Sequence, residues 1–387
     1  SPEKPCVYCG GTEFDGEHDV LDTWIDSSLT ALWAAWWSFN ASSKTEFAPV
    51  ELRPQGHDII RTWAFYSILR SVALTHKIPW HTILINGMVL GEDGYKMSKS
   101  RNNTVSPDYV IQKHGADVFR QWAAIGGAVG SDVQFQWKDI IAASKLMQKL
   151  WSILRFSMIH LSDYEPGAEG GKANFRVVDK WLLSKLNKLI RSVTDSMEDY
   201  KFDEAMKRIR AFAWNVLADD YIELAKSRLY GRTESDGNES AKYALYETMK
   251  TLSLLLAPFI PFYAEEMYSY LAKGEGKGVH EARWPEVTPE MIDPDADKEG
   301  DLIADIVRAV RTYKSARGIP LNAPLDKIEL YVDRLDTEDI ENATATRVEL
   351  CRSTGERKRE GDMIEVNGTN VAIFSTKALE QTKKGAK

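Results

Sequence analysis

Cysteine is scarce in this chain, with three among 387 residues: Cys6, Cys9 and Cys351. So few thiols do not form a disulfide framework and are typical of a protein kept in a reducing compartment. No run of about 18 apolar residues occurs, so the sequence predicts no membrane-spanning segment. Positive charge is not in excess either, because 49 basic and 57 acidic residues give a net charge of −8. This balance argues against nonspecific coating of nucleic acid, but it leaves room for local basic patches that bind RNA.

Apolar side chains, in contrast, are plentiful. Hydrophobic residues make up 43% of the chain and charged residues 27%, which is typical of folded domains with real cores. The length predicts two or three domains. Because the chain begins at Ser1 rather than at a methionine, and begins in the middle of a motif, we expect it to be part of a longer protein.

The most informative stretch runs from Arg53 to Asn103. It begins with Arg-Pro-Gln-Gly-His-Asp at 53–58 and continues through the apolar segment Thr82–Leu90, which predicts a buried parallel strand. It closes on Lys-Met-Ser-Lys-Ser at 96–100. An isolated pair of lysines would more often be a solvated surface turn. Here the pentapeptide follows an apolar strand and a Gly-x-Asp turn that opens a helix. In this context it indicates a functional loop far more specifically than an isolated pair of lysines would.

This stretch is similar to class I aminoacyl-tRNA synthetases, and its details resemble the archaeal valyl-tRNA synthetases. The resemblance is dense from Asp19 to Trp137 and loose after Tyr230. It implies an α/β plus all-α fold and an ATP-dependent valine–tRNA ligase, which activates valine to valyl-adenylate and transfers it to tRNA(Val). The implied cofactors are ATP and Mg²⁺. We therefore expect a cytoplasmic monomer that acts in protein biosynthesis and does not bind membranes.

The resemblance divides the chain into four parts. The first is a zinc-knuckle remnant and the second is the C-terminal half of a Rossmann-like catalytic domain with the lysine loop. A helical-bundle anticodon-binding domain and a small α+β tRNA-contacting domain follow. Their predicted limits are 1–16, 17–137, 138–285 and 286–387. Amphipathic periodicity predicts bundle helices near 139–161, 177–200, 203–230 and 243–256, with a last helix to about 271. Polar loops are predicted at 163–174 and 233–239. Asn-Gly at 367–368 predicts a hairpin turn, and the Lys-rich tail begins at Thr376.

Site residues are implied by the same resemblance. Adenosine would be bound by a Gly-x-Asp turn and by main chain after the apolar strand, that is, by Gly56, Asp58, Gly87, Met88 and Val89. Valine would be held by Trp24, Ile59 and Trp63. Taken by itself, an Asp at a helix start is more often only a cap. A glycine beside it allows close backbone approach, and a turn at the carboxyl end of a strand, where Trp24 is predicted, is where open α/β sheets bind ligands.

The lysine loop has a chemical rationale. When a carboxylate attacks the α-phosphate of ATP, negative charge builds on phosphate oxygens, so positioned cations are more useful than a general base. Lys96 and Lys99 are suited to bind the triphosphate, and the hydroxyl of Ser98 can donate to a phosphate oxygen. These three are the predicted catalytic residues. A loop that closes after ATP binds would also exclude water.

Two family features are absent from the sequence: the His-x-Gly-His element and the editing insertion. We therefore expect this chain alone to bind ATP poorly and not to activate valine. Cys6 and Cys9 form a Cys-x-x-Cys that resembles half of a structural zinc site, which needs four ligands; the alternative is a pair of free thiols. Zn²⁺ is thus a possible additional ligand.

Anticodon recognition has several candidates, and for each of them a core aromatic or a solvated cation is the favoured alternative. They are Arg210, Trp214, Tyr221, Lys226, Arg228 and Tyr230. Farther on, a basic helix predicts phosphate contacts through Arg308, Arg311, Lys314 and Arg317. Two other functions stay open: an isoleucine–tRNA ligase, which shares the fold, and a tRNA-binding module without catalysis.

Overall fold

A computed structural model describes residues 4–20, 22–34, 49–165, 175–231, 237–272, 276–352 and 361–375. The chain forms two compact units, one of residues 1–90 with 129–133 and the other of residues 91–128 with 134–387. The Lys-rich tail from Thr376 and most of two predicted loops, 166–174 and 232–236, lie outside the described residues. Within the described ranges, no helix is long and apolar enough to cross a membrane.

The first unit is built on a βαβ arrangement. Strand β1, Val50–Gly56, pairs in parallel with strand β2, Trp80–Asn86, and Gly56 lies opposite Asn86. Parallel strands need a crossover, which helix α2, Phe65–Thr75, supplies. The carboxyl ends of both strands therefore lie at one edge of the sheet. A short helix α1, Thr23–Ser27, precedes them, and the Asp22 carboxylate caps it by accepting from the Trp24 N–H.

Two predicted boundaries were wrong in this unit. The strand expected over Thr82–Leu90 ends at Asn86, and a separate short strand β3 follows at Val89–Leu90. Most of β2 is half-buried rather than buried, because β1 is its one partner in the described residues. The helix expected from Asp58 begins as a 3₁₀ turn, His57–Ile59, and a π-helical turn before α2 starts. Irregular helical turns of this kind leave no mark on apolar periodicity.

The second unit is mainly helical, and the predicted fold class, α/β plus all-α, is confirmed. Helix α7, Phe202–Ala211, continues through a π-helical segment, Phe212–Tyr221, into helix α8, Ile222–Leu229. The helices are α3 Pro107–His114, α4 Ala116–Gly126, α5 Trp137–His160, α6 Val177–Glu198, α7 Phe202–Ala211, α8 Ile222–Leu229, α9 Asn238–Leu256, α10 Pro261–Leu271 and α11 Pro294–Ala316. A two-residue strand β4, Val133–Gln134, lies between α4 and α5. The predicted bundle helices are thus present at nearly the predicted positions.

Helix α11 packs closely against α6. Trp181 is 1% exposed and its indole N–H donates to the Asp301 carboxylate at 2.8 Å. Gly300 lies directly over this ring, since a Cβ added there would come within 2.3 Å of Trp181 Cγ. The contact therefore requires glycine on α11.

The C-terminal part of this unit is a four-stranded sheet with strand order β6-β5-β8-β7. Its elements are β5 Lys327–Tyr331, α12 Glu338–Thr344, β6 Val348–Cys351, β7 Asp362–Val366 and β8 Thr369–Phe374. The predicted Asn367-Gly368 hairpin turn joins β7 to β8, with φ of 48° and 79° at these two residues. Positive φ at both positions is what favours Asn-Gly in such a turn.

The basic row of α11 is engaged within the protein. Lys314 is fully buried and its ammonium donates to the carbonyls of Leu321, Ala323 and Thr344 at 2.6 to 3.1 Å, so the prediction that it contacts phosphate was wrong. The other three cations form ion pairs: Arg308 with Asp220 at 2.9 Å, Arg311 with Glu223, and Arg317 with Asp362 at 3.0 Å. The spacing of the arginines on α11 correctly indicated a row of cations. The anions that these cations bind are carboxylates of neighbouring elements of the same chain.

Candidate functional site

An apolar cluster in the first unit contains all three residues predicted to bind valine. Trp63 is 5% exposed and stacks on Trp80, with ring centroids 5.5 Å apart and an interplanar angle of 12°. Its indole N–H donates to the Ser27 carbonyl at 3.0 Å. Trp24 and Ile59 are half-buried and pack against the same cluster. These side chains form an apolar wall that suits a small aliphatic group.

Arg53 adds a charge to this wall that the sequence did not single out. Its guanidinium carbon lies 4.0 Å from the centroid of the Trp63 ring. Burial lowers the pKa of Arg53, and its Nε has no hydrogen-bond partner among the described residues. The neighbouring Gln55 is 5% exposed, and its Oε1 is likewise unsatisfied within them. Buried polar atoms without partners are rare, and these two lie on alternate residues of β1 beside the apolar cluster.

Gly56 and Asp58 lie at the carboxyl end of β1. The Asp58 side chain folds back over Gly56, because a Cβ added to Gly56 would lie 2.7 Å from Asp58 Oδ1. The same added atom would lie 4.0 Å from the sulfur of Met88. A side chain at position 56 would therefore displace the carboxylate, which explains in physical terms why the Gly-x-Asp turn needs its glycine.

The main chain after β2 is covered by a second segment of the same unit. A Cβ added to Gly87 would lie 1.8 Å from the Ser131 carbonyl oxygen, so no side chain fits there. The Met88 N–H donates to Asp132 Oδ1 at 2.7 Å, and the Met88 carbonyl accepts from the Val133 N–H at 2.9 Å. An adenine ring could use the Met88 N–H only in competition with Asp132, whereas the Met88 carbonyl has a second lone pair that can accept another hydrogen bond.

The contact between His57 and Asp132 was not anticipated. His57 Nε2 lies 3.0 Å from Asp132 Oδ1, and the two residues are 75 positions apart in the chain. Hydrogen bonds from the Met88 N–H and from His57 lower the pKa of the Asp132 carboxyl. No local pattern could have paired these residues, since Asp132 lies outside the motif at 53–58 that contains His57.

In the second unit, the lysine loop is held by the Asn103 side chain. Its amide nitrogen lies 3.0 and 3.1 Å from the two Asp93 carboxylate oxygens and 3.3 Å from the Lys96 carbonyl. Its Oδ1 accepts from the Ser98 N–H at 2.8 Å. Hydrogen bonds from Asn103 and from the backbone lower the pKa of Asp93. Asn103 thus closes the loop into a ring, while the side chains of Lys96 and Lys99 are exposed.

Ser98 is tied into the same loop. Its hydroxyl accepts from the Arg101 N–H at 3.3 Å and lies 3.2 Å from the Ser100 hydroxyl. Tyr95 and Arg101 stack, with the guanidinium carbon 4.7 Å from the ring centroid. These contacts of Ser98, Tyr95 and Arg101 help to shape the loop.

We expect Asn103→Ala to loosen the loop. The Asn103 side chain bonds Asp93, Lys96 and Ser98 at once, so its loss should raise the rate of tryptic cleavage after Lys96 and Lys99 by about tenfold or more. Ser100→Ala is the matched control, because it removes only a hydroxyl that contacts Ser98. Equal cleavage rates in wild type and Asn103→Ala, timed by mass spectrometry of the digest, would contradict the role of Asn103.

Cys6 and Cys9 lie on a tight turn. The Gly10 N–H donates to the Cys6 carbonyl at 2.8 Å, and Gly10 has a φ of 71°. Backbone N–H groups of Tyr8 and Cys9 lower the pKa of the Cys6 thiol, which favours the thiolate that zinc binds. No cluster of three or more His, Cys, Asp or Glu side chains that could hold a metal occurs in the described residues. This part of the chain therefore fits two of the four ligands of a structural zinc site.

Comparison with known proteins identifies the family. Residues 5–136 match the family "tRNA synthetases class I (I, L, M and V)", and residues 179–330 match the anticodon-binding domain of tRNA ligase. The chain belongs to the class I tRNA synthetases. The family that was predicted from the lysine loop and its surrounding sequence is thereby confirmed.

Relatives of this synthetase chain include several archaeal valine–tRNA ligases. That of Methanosarcina acetivorans is 54% identical over 352 residues, which are 90% of this chain and 40% of the relative. The Archaeoglobus fulgidus enzyme is 51% identical over 90% of this chain and 39% of its own length, and the Pyrococcus furiosus enzyme is 43% identical over 85% and 38%. This chain therefore spans about 40% of the length of these relatives.

A solved synthetase structure shares the fold. It is a ternary complex of LeuRS, tRNA and LeuAMS from Agrobacterium radiobacter K84, which matches with a TM-score of 0.60 at 20% identity. The match covers 75% of this chain and 35% of the LeuRS chain. At this identity the similarity concerns the fold alone.

The anticodon candidates of this synthetase separate by burial. Tyr221 is fully buried, so for it the core alternative is confirmed. Arg228 is 1% exposed and is thus a buried cation, not the solvated cation of its alternative. Lys226 forms an ion pair with Glu223 at 2.5 Å, and Tyr230 is 52% exposed beside the ring of His160. Arg210 and Trp214 instead line an open depression on the bundle surface.

Proposed function

We propose that this chain is part of an ATP-dependent valine–tRNA ligase. In the proposed reaction the valine carboxylate attacks the α-phosphate of ATP, pyrophosphate leaves, and the resulting valyl-adenylate transfers its valyl group to tRNA(Val). The observation that supports this most is the 54% identity to a valine–tRNA ligase over 90% of the chain. The isoleucine enzyme belongs to the same family but is not favoured by relatives at this identity.

In this proposal, Trp24, Ile59 and Trp63 contact the valine side chain. Their packing in one apolar cluster supports the assignment, because a small rigid apolar pocket can exclude larger side chains by size. Exclusion of this kind discriminates weakly against side chains of similar shape, such as threonine.

The adenosine part of ATP is assigned to Gly56 and Asp58 and to main chain at Gly87, Met88 and Val89. Support comes from the glycine positions, where added Cβ atoms would clash with Asp58 and with Ser131. Because the Met88 N–H is already bonded to Asp132, adenine would use the Met88 carbonyl, Gly87 or Val89, or Asp132 would release the N–H when adenine binds.

The triphosphate is assigned to Lys96, Ser98 and Lys99. Both lysines are exposed on the loop that Asn103 holds together, so the loop carries two positively charged side chains at the protein surface. Mg²⁺ would enter with ATP, and when bound it would neutralise phosphate charge.

The remaining assignments follow from the same function. We propose the four-part division at residues 16, 137 and 285, tRNA(Val) as the partner of the helical region, and a cytoplasmic monomer. Cys6 and Cys9 would be half of a zinc site. Zinc analysis of protein purified without chelator tests this, with a Cys6→Ser, Cys9→Ser double variant as the control; equal zinc content in both proteins would contradict it.

Catalysis is tested in a chimera in which this chain replaces the matching segment of the Methanosarcina acetivorans relative. We expect ATP–pyrophosphate exchange that depends on valine. Exchange that depends on isoleucine would assign the chain to the isoleucine enzyme. A chimera that binds tRNA without exchange would support a tRNA-binding module that has no catalytic role.

Recognition of tRNA is tested on the chain alone, by sequencing what it retains from total tRNA at low salt. Enrichment of valine tRNAs is the expected result, because the anticodon-binding family match covers residues 179–330. Enrichment of isoleucine tRNAs would contradict the proposed specificity.

A further inference from the structure

An open depression lies on the surface of the bundle where α7 passes into the π-helical segment. It has a volume of about 360 Å³ and is lined by Lys207, Arg210, Ala211, Trp214 and Asn215. π-helical turns are frequent at functional sites, because the wider turn displaces side chains from regular helical positions. The depression therefore combines a large aromatic ring, two cations and an amide at an irregular point of the helix.

Trp214 is half-buried and forms the aromatic part of the lining. The Lys149 ammonium lies 5.3 Å from the centroid of its ring and is bonded to the Asp219 carboxylate at 2.9 Å. The indole N–H has no hydrogen-bond partner within the described residues. A partly exposed indole with a cation beside it is a suitable surface for a flat, electron-rich ring.

Arg210 distinguishes this depression from the rest of the helical surface. It is half-buried, and no described residue accepts a hydrogen bond from it or forms an ion pair with it. Its neighbours on α7 are paired: Lys207 with Asp203 at 2.8 Å, and Arg208 with Glu204 at 3.3 Å. A guanidinium that is partly removed from water and lacks an internal anion is suited to bind an external one, and its fork geometry matches phosphate.

We propose that this depression binds one nucleotide of the tRNA, with its base against Trp214 and its phosphate on Arg210. Unpaired RNA bases are commonly stacked on aromatic side chains, and an amide such as that of Asn215 can bond a base edge. The inference rests on the proposed tRNA-binding function and adds a defined contact site to it.

The test uses the full 387-residue chain and a fluorescein-labelled transcript of a valine tRNA, with Kd measured by anisotropy over a range of salt concentrations. Arg210→Gln and Trp214→Ala are each expected to raise Kd about tenfold, whereas Trp214→Phe, which keeps a stacking surface, should change it less than about threefold. Arg210→Gln should also reduce the slope of log Kd against log salt by about one, which a purely structural role would not do.

Arg191→Gln is the matched control, because Arg191 is an exposed arginine on α6 without a partner in the described residues. Its Kd should stay at the wild-type value. Wild-type binding that is unaffected by Arg210→Gln would overturn the site while leaving the proposed function in place. No binding of tRNA by the wild-type chain would overturn both. If Trp214→Ala does not fold, as judged by circular dichroism, Arg210→Gln and its salt slope decide the outcome.

Discussion

Lys99→Ala is expected to slow valine-dependent ATP–pyrophosphate exchange at least about tenfold in the chimeric enzyme, with little change in the affinity for valine. The loop places the Lys99 side chain in solvent, and the described contacts that shape the loop run through Asn103, Ser98 and Arg101 instead. Removing Lys99 should therefore remove a charge that acts on the phosphate oxygens without collapsing the loop.

Two variants make this measurement specific. Lys99→Arg keeps the charge and should retain more exchange activity than Lys99→Ala. Lys180→Ala removes an equivalent charge from an exposed position on α6 and should leave exchange unchanged. If Lys99→Ala exchanges as fast as wild type, Lys99 does not act on the phosphates of ATP. If only the KM for valine changes, Lys99 acts in amino-acid binding instead.

Arg228→Met is expected to destabilise the helical unit by about 3 to 5 kcal/mol, because removing one partner of a buried ion pair leaves the other charge unpaired. Arg228 binds Asp179 at 2.9 Å, Asp339 at 3.1 Å and the Gly237 carbonyl at 2.8 Å. The Tyr221 hydroxyl donates to the same Asp179 carboxylate. Burial raises the pKa of Asp339 to about 6, even though Arg228 lowers it, so this carboxyl depends on its cation.

Urea unfolding followed by far-ultraviolet circular dichroism measures the effect of Arg228→Met. Arg208→Gln serves as the control, since it breaks an exposed pair with Glu204 and should change the unfolding free energy by less than about 1 kcal/mol. The double variant Arg228→Met, Asp179→Asn should recover part of the loss, because it removes one of the stranded charges. A destabilisation by Arg228→Met no larger than that of the control would show that the network is dispensable.

Local chemistry in the sequence predicted a large part of this fold. The Asn367-Gly368 turn fixed a hairpin because the two positions need positive φ, and apolar periodicity located the bundle helices. The lysine loop and the Gly-x-Asp turn were found because each is a short contiguous motif. Properties encoded within a few residues were therefore accessible without a structure.

Long-range pairing was not accessible in this way. Asp132 meets His57 across 75 positions, and Arg228 meets Asp339 across 111. The sequence pattern showed the row of cations on α11. Their carboxylate partners lie on α8, on the π-helical segment and on β7, which are distant in the chain. The ion pairs that these cations form within the protein could therefore not be predicted. Burial separated Tyr221 from Trp214 although both looked alike as aromatic residues on one helical stretch.

The glycine above Trp181 fixes the axial position of α11. Sliding the helix by one turn would bring Ala296 or Ala304 over the ring in place of Gly300, and a methyl group there would overlap the indole, since even an added Cβ at Gly300 approaches to 2.3 Å. The contact between Gly300 and Trp181 therefore allows only one packing register of α11 along α6. Because α11 leads directly toward β5, that setting also determines where the C-terminal sheet begins.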